Sequence, residues 1–202
     1  NTITIQNLAS VAGKIAVVNS TGDDTVTIAS VASAASISIT TGKGGADVSL
    51  INTDVAGDIT VNAVSDEGNG NDLTLDDVST GANLSVAYGS SSSSIIDVDG
   101  VAIGKHLTLR TTGGNVTATF GDSAPNTIGG KLTIDFASGD HAITMDDTDI
   151  EGDLHIRTIL GNKTIHIATT DIGGHVQMNN GGGKETITIA DVKLFEQVAA
   201  GA

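Results

Sequence analysis

The sequence predicts an all-β fold, a parallel β-solenoid (β-helix) of about nine coils with about 22 residues in each coil. Three observations predict it. A four-residue strand pattern recurs at a nearly constant spacing, a second series of such patterns follows the first by about 11 residues, and no window has helical periodicity. Fixed-period repeats of this length are typical of solenoids, in which each unit buries its apolar face against its neighbours.

Both series alternate apolar residues with Thr, Ser, Asp or His, which predicts strands with one buried face. The first series begins at Thr2, Thr25, Asp47, Asp72, Ile95, Thr117, Ala142, Thr164 and Thr186. The second series begins at Lys14, Ser36, Asp58, Asn83, His106, Lys131, Asp153 and His175. A β-sandwich also contains many short strands, but it does not keep one residue class at one offset through nine units.

Weaker apolar columns between the strands predict a short third segment in each coil. Glycine typically follows this segment, as in TDVAGD, TDIEGD and TDIGGH, and allows the backbone to bend. Two stretches exceed the period, residues 64–72 and residues 120–130, and we expect both to form loops. A single solenoid domain is therefore expected over residues 1–202.

Stacking in register also predicts a charged ladder on the second series. Arg110, Asp135 and Arg157 follow the strand pattern in three successive coils, so charges of alternating sign should lie one above another. Exposed cross-strand pairs of this kind stabilise a sheet modestly.

The composition excludes several classes of function. The 202 residues include no cysteine, so there is neither a disulfide scaffold nor a cysteine-ligated metal site. Nine basic and 24 acidic residues give a net charge of −15, which repels nucleic acid. No apolar run approaches the roughly 18 residues that a membrane-spanning helix needs, so we expect no insertion into a membrane.

One acidic stretch is a candidate calcium site. DDTDIEGD, at 146–153, contains Asp147, Asp149 and Glu151, and stacking would place Asp171 beside Asp149. Calcium takes six to eight oxygen ligands, which carboxylates and carbonyls in a turn can supply. The alternative is a solvated acidic face without a bound ion.

A second candidate calcium site lies in the glycine-rich loop at 66–72. Its candidate ligands are Asp66, Asn69, Asn71 and Asp72. This loop, with GDDTV at 22–26 and GKGGADV at 42–48, resembles the Gly- and Asp-rich nonapeptide repeats of RTX secreted proteins, whose turns bind calcium in a β-roll. The resemblance covers short pieces only, and it implies isolated calcium ions at one or two turns.

Two other surface patterns suggest a function, but each also has an ordinary structural explanation. The outward threonines form columns that resemble the flat arrays of solenoidal ice-binding proteins. These columns are interrupted by Asp47, Asp72, Asp97 and His166. Threonine is also a common exposed strand residue. His155 and His175, on adjacent coils, could hold a transition metal with a nearby carboxylate, or be ordinary surface histidines.

Catalytic motifs are absent from the sequence. There is no G-x-S-x-G motif, no P-loop and no cysteine nucleophile. Parallel β-helix enzymes that cleave acidic polysaccharides resemble this architecture, but they usually have aromatic sugar platforms, and only Tyr88 is a polar aromatic residue here. We therefore predict that the chain is not an enzyme.

In the spacing and composition of its repeats, as in TVTI, DVAGDITV and GNGND, the chain resembles the large β-strand-repeat surface proteins of bacteria, including those of planctomycetes. It resembles adhesin and autotransporter passenger domains more distantly. The resemblance implies an extracellular or cell-surface location and a structural or adhesive role. Because a strand pattern begins at the first residues with no cap, we expect the partner to be a second copy stacked end to end or further repeats of the same chain. The alternative is a calcium-stabilised adhesin that binds a surface glycan.

Overall fold

The computed structural model describes residues 1–64 and 69–194, and it confirms the predicted solenoid of about nine coils. The described residues form 22 strands and no helix, so they contain no helix long and apolar enough to cross a membrane. Each strand pairs in parallel with its counterpart one coil away.

Each coil has three segments, of which the first and third belong to one 14-stranded sheet and the second to an eight-stranded sheet. The first-segment strands are β1 (Thr2–Leu8), β3 (Asp24–Ala34), β5 (Ala46–Val55), β7 (Asn71–Thr80), β9 (Ser93–Asp99), β12 (Asn115–Phe120), β15 (His141–Met145), β18 (Lys163–Ala168) and β21 (Glu185–Ala190). The second-segment strands are β2 (Lys14–Val18), β4 (Ser36–Thr41), β6 (Ile59–Ala63), β8 (Leu84–Tyr88), β11 (Leu107–Thr111), β14 (Leu132–Ser138), β17 (Leu154–Leu160) and β20 (Val176–Gly182). The third-segment strands are β10 (Ala102–Ile103), β13 (Asn126–Ile128), β16 (Thr148–Ile150), β19 (Asp171–Ile172) and β22 (Lys193–Leu194), while β3, β5 and β7 continue through the bend into this segment.

One residue in the left-handed region turns the chain between the first and third segments of most coils. The residues at this corner are Asn7, Ser30, Asn52, Asp77, Asp147, Thr169 and Asp191, with φ from 41° to 59°, and Gly100, with φ of 62°. Asn and Asp tolerate this conformation better than most residues because their short side chains hydrogen-bond locally. The backbone at this corner therefore accounts for several of the aspartates.

Glycine occupies the turn that leads from the second segment back to the first. Gly114, Gly139, Gly161 and Gly183 all have φ between 92° and 140°. A Cβ atom on Gly161 would lie 2.0 Å from the carbonyl oxygen of Gly139 in the preceding coil. Only glycine lets the two backbones approach so closely.

Aliphatic side chains from both sheets point inward and stack into one core. Val26, Val48, Leu73 and Ile96 are register partners on successive coils, and each is at most 1% exposed. A coil alone could not bury these side chains, so the packing of each coil depends on its neighbours.

The described Phe and Tyr residues, Tyr88, Phe120 and Phe136, are also buried. The Tyr88 hydroxyl crosses the interior and donates a hydrogen bond to the Asp72 carbonyl oxygen, 3.2 Å away. Burial, together with the nearby charges of Asp72 and Asp47, raises the pKa of Tyr88 far above its ordinary value. Over residues 1–64 and 69–194, no Phe or Tyr ring is left on the surface for a sugar to stack on.

Polar side chains in the turns accept hydrogen bonds from the backbone of the next coil. Asp58 Oδ1 accepts one from the Asn83 amide at 3.1 Å, and Asp153 Oδ1 accepts one from the His175 amide at 2.8 Å. These bonds lower the pKa of both Asp58 and Asp153. They satisfy backbone donors at the turns that precede the second-segment strands.

The long stretch 120–130 contains strand β13, so the predicted loop over the whole stretch is wrong. Asn126 begins this strand with a buried side chain, whose Oδ1 accepts from the Val101 amide at 3.0 Å and whose Nδ2 donates to the Val98 carbonyl at 2.9 Å. Only residues 121–125 form the insertion. The sequence pattern missed the strand because a polar Asn stands at this inward position.

A buried histidine, His141, is the first residue of the first-segment strand β15. His141 is 3% exposed, its Nε2 lies 3.5 Å from the Ala137 carbonyl oxygen, and its ring centroid lies 5.5 Å from that of Phe136. Its Nδ1 has no hydrogen-bond partner among the described residues. Burial, assisted by the charge of Lys163, lowers the pKa of His141.

The left-handed corner predicts the effect of substitutions at Asn52. We expect Asn52→Val to lower the free energy of unfolding by about 1–2 kcal/mol, because a β-branched residue fits the left-handed region poorly. Asn52→Gly should change it by less than about 0.5 kcal/mol. Urea unfolding followed by circular dichroism measures both. Asn62→Val, at an exposed position of β6, is the control, and equal losses at Asn52 and Asn62 would contradict this account.

The buried, neutral His141 predicts that stability falls in mild acid. The unfolded state takes up this proton near the ordinary histidine pKa of about 6.5, whereas the folded state takes it up at lower pH. Stability should therefore be complete above about pH 7 and decline as the pH falls below about 6.5. Urea midpoints measured between about pH 5 and 7 should depend less on pH in His141→Gln than in the wild type. His155→Gln should keep the wild-type dependence, and a flat wild-type curve would refute the prediction.

Candidate functional site

Three groups of acidic side chains and the two ends of the rod are the candidate sites. The corner site lies at the turns that precede the first-segment strands, on the side of the coil away from the left-handed corner. It consists of Asp23, Asp24, Asp47, Asn69 and Asp72. The face cluster consists of Asp76, Asp97, Asp99 and Asp122. The third-segment cluster consists of Asp149, Glu151 and Asp171.

The third-segment cluster contains three of the predicted calcium ligands. Asp149 and Asp171 are register partners on β16 and β19, as the sequence predicted, and Glu151 lines the same open depression of about 360 Å³. Lys193 Nζ lies 3.4 Å from Asp171 Oδ1 and partly balances the negative charge. Calcium at this cluster stays a prediction.

Asp147, the fourth predicted ligand of this group, lies apart from the other three. It occupies the left-handed corner with φ of 41°, and its amide donates to Asp146 Oδ1 at 3.0 Å. Its carbonyl oxygen accepts from the Asn126 amide at 3.0 Å. The left-handed conformation that the backbone adopts at this corner is enough to explain why an aspartate stands here, and no bound ligand is needed.

The corner site brings together the three glycine-rich turns that the sequence singled out. Asp24, Ala46 and Asn71 are register partners on β3, β5 and β7, and Asp47 pairs in the same way with Asp72. The turns border an open depression of about 400 Å³. Stacking thus collects carboxylates that are more than 20 residues apart in sequence.

Of the ligands predicted in the second group, Asp66 lies outside the described residues. Asn69 lines the corner site, and its Nδ2 donates to Asp23 Oδ1 at 2.7 Å. The same oxygen accepts a hydrogen bond from the Gly45 amide at 3.0 Å. These bonds connect the Asp23 carboxylate to the two following coils.

Asn71 and Asp72 point in opposite directions because they are neighbours in a strand. Asn71 is 0% exposed, and its Oδ1 accepts from the Ala46 amide at 3.1 Å. Asp72 faces outward into the corner site, and its Oδ1 accepts from the Ile95 amide at 2.9 Å. Asp72 is therefore the better placed of the two for a ligand.

Like charges dominate the electrostatics of the corner site. Partial burial, followed by the charges of Asp72 and Asp23, raises the pKa of Asp47. The carboxylates of Asp47 and Asp72 stand on directly opposed positions of adjacent parallel strands. Their repulsion costs free energy that a bound cation would relieve.

The face cluster is an acidic group that is not among the sites predicted from the sequence. Partial burial raises the pKa of Asp97, and the charges of Asp99, Asp122 and Asp76 raise it further. Asp76 and Asp99 are register partners on β7 and β9. Aspartates at the same offset in successive coils were the signal that could have revealed the cluster.

The predicted charge ladder on the second segment is confirmed. Asp135 pairs in register with Arg110 on one side and Arg157 on the other. Arg157 donates through Nε at 2.7 Å and through Nη2 at 3.0 Å, whereas Arg110 Nε is 3.9 Å from the carboxylate. This ladder is a structural feature of the sheet.

His155 and His175 lie on adjacent coils, and Asp153 lies beside His175, as the sequence predicts, with Nδ1 and Oδ1 3.5 Å apart. His155 itself stands opposite Gln177, and a metal at the two histidines stays a prediction. The threonine columns are in register, since Thr2 pairs with Thr25 and Thr164 with Thr186. Ice binding at these columns stays a prediction.

The outermost strands of the described part of the rod carry exposed or partly exposed inward-facing aliphatic side chains. Ile187 and Ile189 on β21 are 42% and 56% exposed, whereas their register partners Ile165 and Ile167 are 1% exposed. At the other end, Ile3 of β1 packs against the core but is only partly buried. Within the described residues, each outermost strand pairs with a neighbour on one side only.

Within residues 1–64 and 69–194, no three His, Asp or Glu side chains are placed to hold a metal ion together. Comparison with known proteins gave no matching family model, no matching curated protein and no matching solved structure. The functional argument therefore depends on the geometry of the corner site and of the ends.

The electrostatics of two aspartates predict substitutions with opposite effects. Asp97→Asn should raise the free energy of unfolding at pH 7 by about 0.5 kcal/mol, because it removes repulsion within the face cluster. Asp135→Asn should lower it by about 0.5–1 kcal/mol, because two arginines lose their partner. Urea unfolding at low and high salt measures both, and salt should reduce both effects. A loss in Asp97→Asn as large as that in Asp135→Asn would contradict the assignment.

Proposed function

We propose that the chain is a structural module, a rigid rod that stacks end to end into a filament on the surface of a bacterium. The observation that carries this proposal is the exposure of core side chains at the ends of the rod. Ile189 is 56% exposed although its partner in the preceding coil, Ile167, is 1% exposed. A further coil placed on β21 would bury this surface and pair its strand edge.

A second copy of the chain has the right pattern to supply that coil. The tetrapeptide Thr-Ile-Thr-Ile occurs both at Thr2, in β1, and at Thr186, in β21. Inside the rod, β1 already stacks on the pattern Thr-Val-Thr-Ile that begins at Thr25. The first coil of one copy can therefore continue the ladder of the last coil of another.

The polarity of the rod makes such an assembly open-ended. Because all strand pairs are parallel, the two ends differ, and contact between them is heterologous. A heterologous contact that does not close into a ring produces a filament. The net charge of −15 opposes contact between the sides of neighbouring rods, which favours growth along the axis.

The location at the cell surface is inferred from the resemblance to large bacterial surface proteins in repeat spacing and composition. A glycan-binding adhesin has less support, because the described Phe and Tyr rings are buried and cannot stack on sugars. That the chain is not an enzyme stays a prediction.

Static light scattering over a concentration series tests the stacking. The wild type should grow in mean mass with protein concentration. Ile189→Lys should remain monomeric, because a lysine at the end surface opposes its burial. Ile95→Lys is a matched control, since Ile95 is also 56% exposed but lies on the side of the rod.

Wild-type protein that stays monomeric at every concentration would refute the filament. Equal loss of assembly in Ile189→Lys and Ile95→Lys would show that the contact does not involve the end of the rod. Circular dichroism should confirm that both variants keep the β-rich spectrum of the wild type.

A further inference from the structure

The buried polar atoms that lack a partner lie in one strip of the interior. Among the described residues, buried side-chain nitrogen or oxygen atoms without a hydrogen-bond partner belong to Asn19, Asp24, Thr41, Asn71, Thr111 and His141. Asp24, Asn71 and His141 are the first residues of first-segment strands. Thr41 and Thr111 are the last residues of second-segment strands, and Asn19 directly follows another. These six residues, which we call the polar strip, therefore all flank the turn from the second segment to the first.

The two kinds of position in the polar strip meet inside the rod. The ring centroid of Phe136, the register partner of Thr111, lies 5.5 Å from that of His141. Tyr88, the register partner of Thr111 on the other side, reaches the Asp72 carbonyl oxygen at 3.2 Å. Side chains that end the second segment therefore contact residues that begin the first segment.

Two alanines make the polar strip narrow in side-chain volume between Thr41 and Asn71. Ala63 is the register partner of Thr41, and Ala46 is the register partner of Asn71. Both alanines are at most 1% exposed. Farther along the rod, the same two columns of the strip hold the rings of Phe136 and His141. A corner that accommodates two rings there has space beside two methyl groups here.

The groups that border this space are a donor and a hydroxyl. Asn71 Oδ1 accepts from the Ala46 amide at 3.1 Å, which leaves Asn71 Nδ2 as the unpaired group of that side chain. Thr41 Oγ1 is unpaired too, and both residues are at most 1% exposed. A buried polar group without a hydrogen bond costs free energy, and internal water is the usual remedy in protein interiors.

We propose that the polar strip binds ordered water, and that one water molecule occupies the space beside Ala46 and Ala63. It accepts a hydrogen bond from Asn71 Nδ2 and donates one to Thr41 Oγ1, and so joins two coils across the coil between them. Water matches this site better than a metal ion does, because Asn71 presents an N–H donor, which a cation cannot accept. Two polar partners meet the minimum for an internal water molecule.

The first turn of the rod offers a second place of the same kind. Asn19 Nδ2, a donor, and Asp24 Oδ2, an acceptor, flank the turn at 20–23, and both atoms are buried and unpaired among the described residues. A water molecule between them would satisfy both. The strip would then be hydrated along one edge of a core that is otherwise built from aliphatic side chains.

Transfer of magnetisation from water to amide protons, measured by NMR on the ¹⁵N-labelled whole chain, tests the site at Thr41 and Asn71. The Asn71 side chain is 0% exposed, so its amide protons have no contact with bulk water. In the wild type they should nevertheless show a nuclear Overhauser cross-peak at the water frequency, with the sign of a long-lived complex. A wild type without this cross-peak would overturn the proposal.

A pair of matched variants assigns the cross-peak to the space between the alanines. Ala63→Val adds two carbons beside Thr41 and should abolish it, because the added methyl groups displace the water. Ala118→Val adds the same two carbons at another buried alanine, which pairs with Ile96 and Ile143, and should keep it. A cross-peak that survives in Ala63→Val, or one that both variants lose, would place the water elsewhere and reject the site.

A crystal structure that resolves ordered water gives a second test that needs no variant. It should show a water oxygen at hydrogen-bond distance, about 2.7–3.2 Å, from both Thr41 Oγ1 and Asn71 Nδ2. A direct hydrogen bond between these two side chains, or a space without water density, would equally overturn the proposal. None of these results depends on whether the rod stacks end to end.

Discussion

The hydrogen-bonded contact between successive coils is the constraint on which the rest of the structure depends. No coil closes its own backbone hydrogen bonds or buries its own aliphatic side chains, so each depends on a neighbour to do both. A coil fits this ladder only if the same offset carries the same kind of residue: inward aliphatic side chains, a left-handed corner and a glycine turn. The near-constant period of the sequence is the consequence, and the extra residues of individual coils are confined to turns such as 121–125, outside the ladder.

The same constraint explains much of the acidic composition. Asp140 Oδ1 accepts from the Asn162 amide at 2.7 Å, and Asn162 Oδ1 in turn accepts from the Lys184 amide at 3.2 Å, so one column of short polar side chains satisfies one backbone donor per coil. Aspartates at the left-handed corner, such as Asp77 and Asp191, satisfy a conformational requirement instead. These residues are acidic because Asp and Asn suit turns, and their number is no measure of ligand binding. Where aspartates face one another on adjacent strands, as at Asp47 and Asp72, their charges repel.

The sequence predicted the coils and their register because period-two alternation and a fixed offset determine both, as the pairing of Arg110, Asp135 and Arg157 confirms. It did not predict which turn residues face inward. Both Asn71 and Asp72 are candidate ligands by sequence, yet adjacent strand positions point to opposite faces, and only the exact start of β7 shows which one is buried. Strand β13 was missed for a related reason: a buried Asn126 can replace an aliphatic residue when its amide satisfies backbone groups, and an apolar pattern cannot detect that.

Separation of inward from outward positions also allows the surface of the rod to change from coil to coil while the aliphatic columns of the core are kept. The inward columns through Val26 and Ile28 stay apolar from the second coil to the eighth. The outward column that begins at Thr2, by contrast, changes from Thr to Asp at Asp47 and Asp72 and returns to Thr by Thr117. Outward substitutions of this kind leave the core untouched, so a local charge cluster costs only the repulsion between its own members. Ile187 and Ile189 of β21, the outermost described strand of its sheet, belong by contrast to the inward columns, so the chemistry of this surface is that of the core.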